Sequence, residues 1–127
     1  FILDLDDNSF DYILNAKYFI TDWSGSAFEY AFFNLRPVIF LDTQPKVNNL
    51  NFKTIDIDPA EIMIRDKMGL ILEYDEIDYI EKKFDIIDFG IKDFHDNIIS
   101  LRKLLIFNLS KSSDKGKIFL KEILDEI

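Results

Sequence analysis

The sequence has 127 residues and a formal net charge of −9 at neutral pH, with 48% hydrophobic and 15% aromatic residues. This length and composition predict one domain with a substantial core, and the acidic balance argues against sequence-independent nucleic-acid binding. The sequence contains no cysteine and a single histidine, His95, which excludes disulfides and a histidine-rich metal centre within the chain. No apolar run approaches the roughly 18 residues of a membrane span. These features predict a cytoplasmic protein.

The first third of the chain alternates short apolar runs with helical periodicity. The pattern predicts strands at 1–5, 18–21 and 38–41, and helices at 10–15 and from Ser24 or Ser26 to near Asn34. Strands and helices alternating at this spacing are typical of βαβ units. We therefore expect an α/β fold with a parallel sheet, the 18–21 strand at its centre and helices on both faces.

The segment "DPAEIMIRDKMG" predicts a short helix with marked ends. Asp58 is expected to cap it, Pro59 to occupy the first helical position and Glu61 to complete a capping box. Gly69 is expected to stop the helix.

The rest of the chain predicts mainly helix. The expected elements are a strand at 70–72, a helix at 75–84, a connector around Gly90, and two helices marked by apolar spacing from Phe94 and from Phe119. The cluster "DLDDN" at 4–8 lacks the glycine and distal glutamate of a calcium loop, so we interpret it as a solvated turn. His95 is expected on the polar side of its helix, without a chemical role.

A small polar turn, Ser24-Gly25-Ser26, separates the 18–21 strand from the following helix. In open parallel sheets, ligands bind outside the carboxyl ends of the strands. Unpaired N–H groups at a helix start attract phosphate, glycine allows close backbone approach, and serine hydroxyls add donors. The turn therefore fits a phosphate site. It also fits a capping box formed by Ser26 and Glu29, which needs no ligand and which local chemistry alone favours.

The stretch "ITDWSGSAFEYAFFNLRPVIFLD" resembles the signature of the CDP-glycerol glycerophosphotransferase family, whose members build teichoic-acid-like polymers and capsular polysaccharides. Those enzymes commonly show a strand, Asp-Tyr-Ser-Ser, an apolar helix with an acidic-Tyr-Ala step, and Lys-Pro or Arg-Pro before another strand. The matching residues are Asp22, Trp23, Ser24, Glu29, Tyr30, Ala31, Arg36 and Pro37. "DTQPKVNN" and "EIMIRDKMGLIL" extend the likeness, which covers roughly residues 1–72.

The resemblance implies a two-domain GT-B type transferase, with residues 1–127 as a single Rossmann-like donor-nucleotide-binding domain of a longer enzyme. Ser24, Gly25 and Ser26 would hold the donor phosphates. A backbone contact is expected at Gly25, where the family more often has serine. The family's key histidines, in His-Gly and His-Pro motifs, would precede Phe1. Neither motif occurs in this sequence, so no catalytic residue is assigned, and no cofactor or metal is expected.

Four further residues are candidates for the site, each with an alternative role. Asp22 would orient a serine or the helix start, or only cap the turn at the strand end. Glu29 fits a helix cap better than a ligand contact. Lys46 lies in the loop on the face where a phosphate would sit, although loop lysines are often only solvated. Arg65 fits the family pattern, and it also complements the end of its helix.

The predicted function is transfer of glycerol phosphate, or a related polyol or sugar phosphate, from a CDP-activated donor to a cell-surface polymer. The expected partners are the CDP-linked donor, a polymer acceptor and an N-terminal domain of the same enzyme, with no nucleic acid. The full-length enzyme would allow peripheral association with the inner face of the cell membrane. Two alternatives stay open: a GT-B glycosyltransferase using a nucleotide sugar, and a non-catalytic flavodoxin-like interaction module.

Overall fold

The computed structural model describes residues 3, 5, 10–45, 51, 54 and 58–125. In chain order, the elements are α1 (Phe10–Asn15), β1 (Ile20–Thr21), α2 (Ser26–Asn34), β2 (Val38–Leu41), α3 (Ala60–Met68), β3 (Gly69–Leu72), a 3₁₀ helix (Tyr74–Tyr79), α4 (Ile80–Leu105) and α5 (Ser112–Asp125). The strand predicted at 1–5 and the "DLDDN" turn lie mostly outside the described residues, and Lys46 lies wholly outside them.

The three described strands form a parallel sheet in the order β1-β2-β3. Ile39 of β2 pairs with Ile20 on one side and with Leu70 on the other. This parallel pairing confirms the predicted α/β class. Within the described sheet β2 is central and β1 lies at an edge. The predicted central place of β1 depended on the 1–5 strand, so it stays a prediction.

The sheet is covered on both faces, because successive residues of β2 point to opposite sides. Val38 and Phe40 join a core cluster with residues of α1, α2, α3 and the end of α4. Ile39 points the other way and packs with Leu72 and with Ile87 from the first half of α4. The continuous apolar sequence of β2 therefore reflects burial on both sides.

The longest element, α4, runs for 26 residues from Ile80 to Leu105 without a break at Gly90. The prediction of a connector around Gly90 is wrong. Three apolar residues at helical spacing, Ile87, Ile98 and Leu101, are buried on both sides of that glycine. Their packing outweighs the roughly 1 kcal/mol that a glycine costs inside a helix. The helix predicted at 75–84 is also wrong in part, since it begins as the 3₁₀ helix Tyr74–Tyr79.

The start of α3 differs from the predicted capping box. The helix begins at Ala60, its N-cap is Pro59, and no side chain makes a cap hydrogen bond. Pro59 has an extended ψ of 144°, so Asp58 lies one residue too early to reach the first turn as a cap. The predicted end is confirmed, because the backbone N–H of Gly69 donates to the carbonyl oxygen of Arg65.

The last helix, α5, confirms the helical spacing of the C-terminal apolar residues. None of its described residues is buried, and Phe119 and Leu124 remain 61% and 70% exposed. This helix therefore adds nothing to the described core. No helix in the part of the chain that the structure describes has the length and apolar character needed to cross a membrane.

Candidate functional site

The candidate site lies at the carboxyl-terminal edge of the parallel sheet, where β1 and β2 end, and we name this edge the sheet edge. Asp22 to Gly25 follow β1, and Asp42 and Thr43 follow β2. The indole Nε1 of Trp23 donates a hydrogen bond to the backbone carbonyl of Thr43 at 2.7 Å. This bond ties the two strand-end loops together and fixes the polar turn over the sheet edge.

The turn itself is closed by short contacts between its two serines. The Oγ atoms of Ser24 and Ser26 are 2.8 Å apart, and the backbone N–H of Ser26 points to Ser24 Oγ at 3.4 Å. Backbone bonds from Ala27 to Ser24 and from Phe28 to Gly25 continue into α2. Both hydroxyls therefore lie at the first turn of a nine-residue helix, where unpaired N–H groups and the positive end of the helix dipole favour an anion.

The predicted Ser26–Glu29 capping box is absent from this turn. Gly25 is the N-cap residue, with helical φ and ψ of −60° and −23°, and no side chain makes a cap hydrogen bond. Because the backbone is already helical at Gly25, Ser26 is the first residue inside the helix and its hydroxyl turns back to Ser24. Glu29 is exposed and lines a separate wide apolar groove with Phe33 and Arg102. The structure does not bring it to the sheet edge.

Gly25 has no structural need to be glycine. Its φ of −60° is open to any residue, and a Cβ at this position would meet no atom within 4 Å. The space beside the backbone of the turn is open. The backbone contact to a phosphate expected at Gly25 stays a prediction.

A buried arginine from α3 lies under the turn. Arg65 is only 5% exposed, and its Nη1 donates to Asp42 Oδ1 at 2.9 Å. Its guanidinium carbon lies 3.8 Å from the ring centre of Trp23 and 5.1 Å from that of Phe40. Cation–π contact with a desolvated guanidinium is favourable at such distances. Arg65 thus connects the loops after β1 and β2 with α3.

Arg65 is not fully satisfied by these contacts. Its Nε and Nη2 atoms are buried and have no hydrogen-bond partner among the described residues. Arg65 also lines a small pocket of about 10 Å³ at the sheet edge, which we name the edge pocket. Its lining includes Asp22, Trp23, Ser24, Phe40, Glu61 and Arg65. This volume is about what one water molecule needs.

The structure therefore places two of the predicted site residues, Asp22 and Ser24, in the edge pocket, with Gly25 and Ser26 beside it in the chain. Sequence reasoning assigned Arg65 only a helix-end or pattern role and missed its burial. The available signal was its position three residues before Met68, which places both on one stripe of α3. Met68 is fully buried.

Other polar groups form no competing centre in the described ranges. His95 is half exposed, with Nδ1 3.5 Å from a carboxylate oxygen of Asp96. No group of three or more potential metal-ligating side chains occurs among the residues described. The edge pocket is therefore the best-defined candidate for ligand binding. No protein-family model, curated protein or solved structure matches this chain.

Proposed function

We propose that this chain is the donor-binding domain of a transferase that moves glycerol phosphate, or a related polyol or sugar phosphate, from a CDP-linked donor to a cell-surface polysaccharide or teichoic-acid-like polymer. One observation carries the proposal. The Ser24-Gly25-Ser26 turn joins the carboxyl end of β1 to the start of α2, with two hydroxyls 2.8 Å apart and open space at Gly25. The resemblance of residues 20–42 supplies the identity of the donor.

The turn would hold the phosphates of the donor, as a Rossmann-like domain does at its strand ends. The acceptor hydroxyl attacks the donor's β-phosphorus, the bond to the CMP leaving group breaks, and negative charge accumulates on the phosphate oxygens. The N–H groups at the start of α2 and the hydroxyls of Ser24 and Ser26 would stabilise that charge. The base that takes the acceptor's proton is assigned to the N-terminal domain of the longer enzyme, which would act in the cytoplasm at the inner face of the membrane.

The net charge of −9 bears on how such a donor is recognised. A diphosphate approaching an acidic protein needs local positive groups, because the general surface repels it. The start of α2 and the guanidinium of Arg65 are the positive groups at this place, beside the carboxylates of Asp22, Asp42 and Glu61. A nucleotide-sugar glycosyltransferase would use the same phosphate site, but it would transfer the sugar at carbon rather than at phosphorus and release the nucleoside diphosphate.

A non-catalytic interaction module is supported by a different feature, the exposed apolar side chains of α5. Phe119 and Leu124 would suit a partner surface. Such a module predicts no nucleotide binding at the sheet edge.

The test is a titration of the ¹⁵N-labelled chain with CDP-glycerol, CDP-ribitol, UDP-glucose and inorganic phosphate, followed by amide resonances. We expect the amides of residues 23–28 to shift with the CDP-linked donors at lower concentration than with UDP-glucose. Stronger shifts with UDP-glucose would favour the glycosyltransferase. Resonances of residues 23–28 that stay unchanged at millimolar donor would contradict the proposal.

A further inference from the structure

The two unpaired nitrogens of Arg65, Nε and Nη2, lie along one edge of its guanidinium group. Nε–H and one Nη2–H point in parallel from the same side of the planar group, and this pair fits two oxygens of a phosphate or carboxylate. The third nitrogen, Nη1, is already bonded to Asp42. The structure therefore uses the end of the guanidinium for the fold and leaves the two-donor edge, with both nitrogens buried, without a partner among the described residues.

An internal carboxylate does not account for this edge. Asp22 and Glu61 both line the edge pocket with Arg65. Glu61 lies four residues before Arg65 on α3, the spacing at which opposite charges pair on a helix. Neither carboxylate bonds to Nε or Nη2. A buried donor pair with no partner among the described residues can bond either the one water that the edge pocket holds or a ligand that displaces it.

Trp23 lines the edge pocket beside these two nitrogens. Its ring stacks on the guanidinium at 3.8 Å, and its Nε1 is bonded to Thr43. The edge pocket of about 10 Å³ has room for one water but not for a phosphate group. For a phosphate to reach Arg65 the edge pocket must widen, and turning the indole away from Thr43 would widen it.

We infer that Arg65 binds one phosphate of the donor's diphosphate through Nε and Nη2, and that Trp23 is a cover that opens as the diphosphate enters. Ser24 lines the same pocket and also begins the turn that leads into α2. One phosphate would therefore lie at the helix start and its neighbour at Arg65. This inference depends on the proposed donor site and makes the site selective for nucleoside diphosphates over monophosphates.

The experiment compares CDP, CMP and inorganic pyrophosphate as probes of the chain. Trp23 is the single tryptophan, so its fluorescence reports on the cover. We expect CDP and pyrophosphate to change this fluorescence, and CDP to bind at least tenfold more tightly than CMP by calorimetry. In the wild-type protein, the Nε–H resonance of Arg65 is expected to shift with CDP and to stay in place with CMP.

Two matched variants separate the two-donor edge from the ion pair. Arg65→Lys keeps the positive charge but has no parallel donor pair, and we expect its CDP affinity to fall at least tenfold, to the level of CMP. Asp42→Asn removes the carboxylate that faces Nη1 and leaves Nε and Nη2 unchanged, so we expect near wild-type CDP affinity with a lower melting temperature. Trp23→Phe lacks the N–H that bonds Thr43, and we expect it to bind CDP a few times more tightly.

The outcomes distinguish this inference from the function on which it depends. If CDP shifts the amides of residues 23–28 but Arg65→Lys binds CDP and CMP as the wild type does, Arg65 has only a structural role and the donor site stands. If Arg65→Lys does not fold, the wild-type Nε–H resonance decides: no shift at saturating CDP overturns the inference. If the wild type binds none of the three probes, both proposals are wrong.

Discussion

A Cβ atom on Gly69 would collide with the backbone carbonyl oxygen of Val38. The two residues are paired across β2 and β3. Gly69 has an extended φ of −177°, which any residue adopts, so its conformation does not require glycine. The close approach of β2 and β3 is what requires glycine at this position. Gly69 both ends α3 and lets β3 lie against the centre of the sheet, within a few residues of Arg65.

Gly69→Ala is expected to destabilise the protein by about 3 kcal/mol or more, because a methyl group would displace the backbone of β2 rather than a flexible side chain. Urea unfolding followed by circular dichroism measures this change. Gly25→Ala is the matched control, since a Cβ there meets nothing within 4 Å, and it should change the free energy of unfolding by less than about 1 kcal/mol. Equal stability of the two variants would contradict the described β2–β3 packing.

Gly90→Ala tests the continuity of α4. A Cβ at Gly90 would lie 3.4 Å from a ring carbon of Phe94, at ordinary contact distance. We expect this variant to raise stability by about 0.5–1 kcal/mol, because alanine loses less conformational entropy inside a helix than glycine does. A lower melting temperature would show that the chain breaks at Gly90, as the sequence alone predicts.

Gly116→Ala provides the comparison within α5. The position is open, with nothing within 4 Å of a Cβ, so alanine should raise the helical signal in circular dichroism. Because none of the described residues of α5 is buried, we expect the cooperative unfolding transition to keep its midpoint. A clear rise of the midpoint would mean that α5 packs on the core in solution.

Because Tyr30 is buried, we expect the protein to lose stability at alkaline pH. The residue is fully buried, its hydroxyl donates to the carbonyl oxygen of Lys17 at 2.9 Å, and its ring stacks on Phe19. Burial raises the pKa of the phenol above 10.0, and Arg36 offsets part of that rise. The folded state therefore holds the proton more tightly than the unfolded state. Its stabilisation is complete below pH 10.0 and is lost as the pH rises through the folded-state pKa.

Melting temperatures of the wild type and Tyr30→Phe between pH 8 and 11.5 measure this effect. At pH 8 we expect Tyr30→Phe to be less stable by about 1 kcal/mol, because it lacks the hydrogen bond to Lys17. Above pH 10 the wild type should lose stability faster, so that the two curves approach each other. Parallel curves over the whole range would show that Tyr30 does not cause the alkaline transition.

Strong local patterns made much of this fold predictable. The strand β2 and the helix around Tyr30 could be predicted because burial imposes a pattern on the sequence. Burial on both faces makes a strand continuously apolar, and burial of one stripe gives a helix its apolar spacing. The errors came from rules that act over a few residues. Ser26 and Asp58 fit capping patterns, and Gly90 fits a break, but tertiary packing decides which backbone conformation each one adopts.

Half of the candidate site could also be predicted from the sequence. The Ser24-Gly25-Ser26 turn could be predicted because strand, turn and helix are consecutive in the chain. Arg65 could not, since its burial depends on Trp23 and Asp42, which are 42 and 23 residues away in the sequence. Three-dimensional packing alone decides whether its Nε and Nη2 have hydrogen-bond partners.

The last prediction separates the two serines of the turn. Ser24 lines the edge pocket, so Ser24→Ala should remove one charge-assisted hydrogen bond to phosphate. That loss amounts to about 1.5–3 kcal/mol, or roughly ten- to a hundredfold in affinity for CDP-glycerol by calorimetry. Ser26 is the comparison, because its hydroxyl faces that of Ser24 at 2.8 Å but the residue does not line the edge pocket. Ser26→Ala should therefore lower the affinity less than Ser24→Ala does, and it should change the melting temperature little because no cap hydrogen bond is lost.

Gly25→Val completes the series, because its branched side chain would fill the open space beside the turn and block approach of an anion to the backbone. We expect it to abolish donor binding while the protein still folds, since helical φ and ψ at Gly25 accept a side chain. A turn that only starts the helix predicts otherwise. In that case none of the three variants would change the affinity, and any effect would appear only in the melting temperature, which unfolding scans on the same samples would reveal.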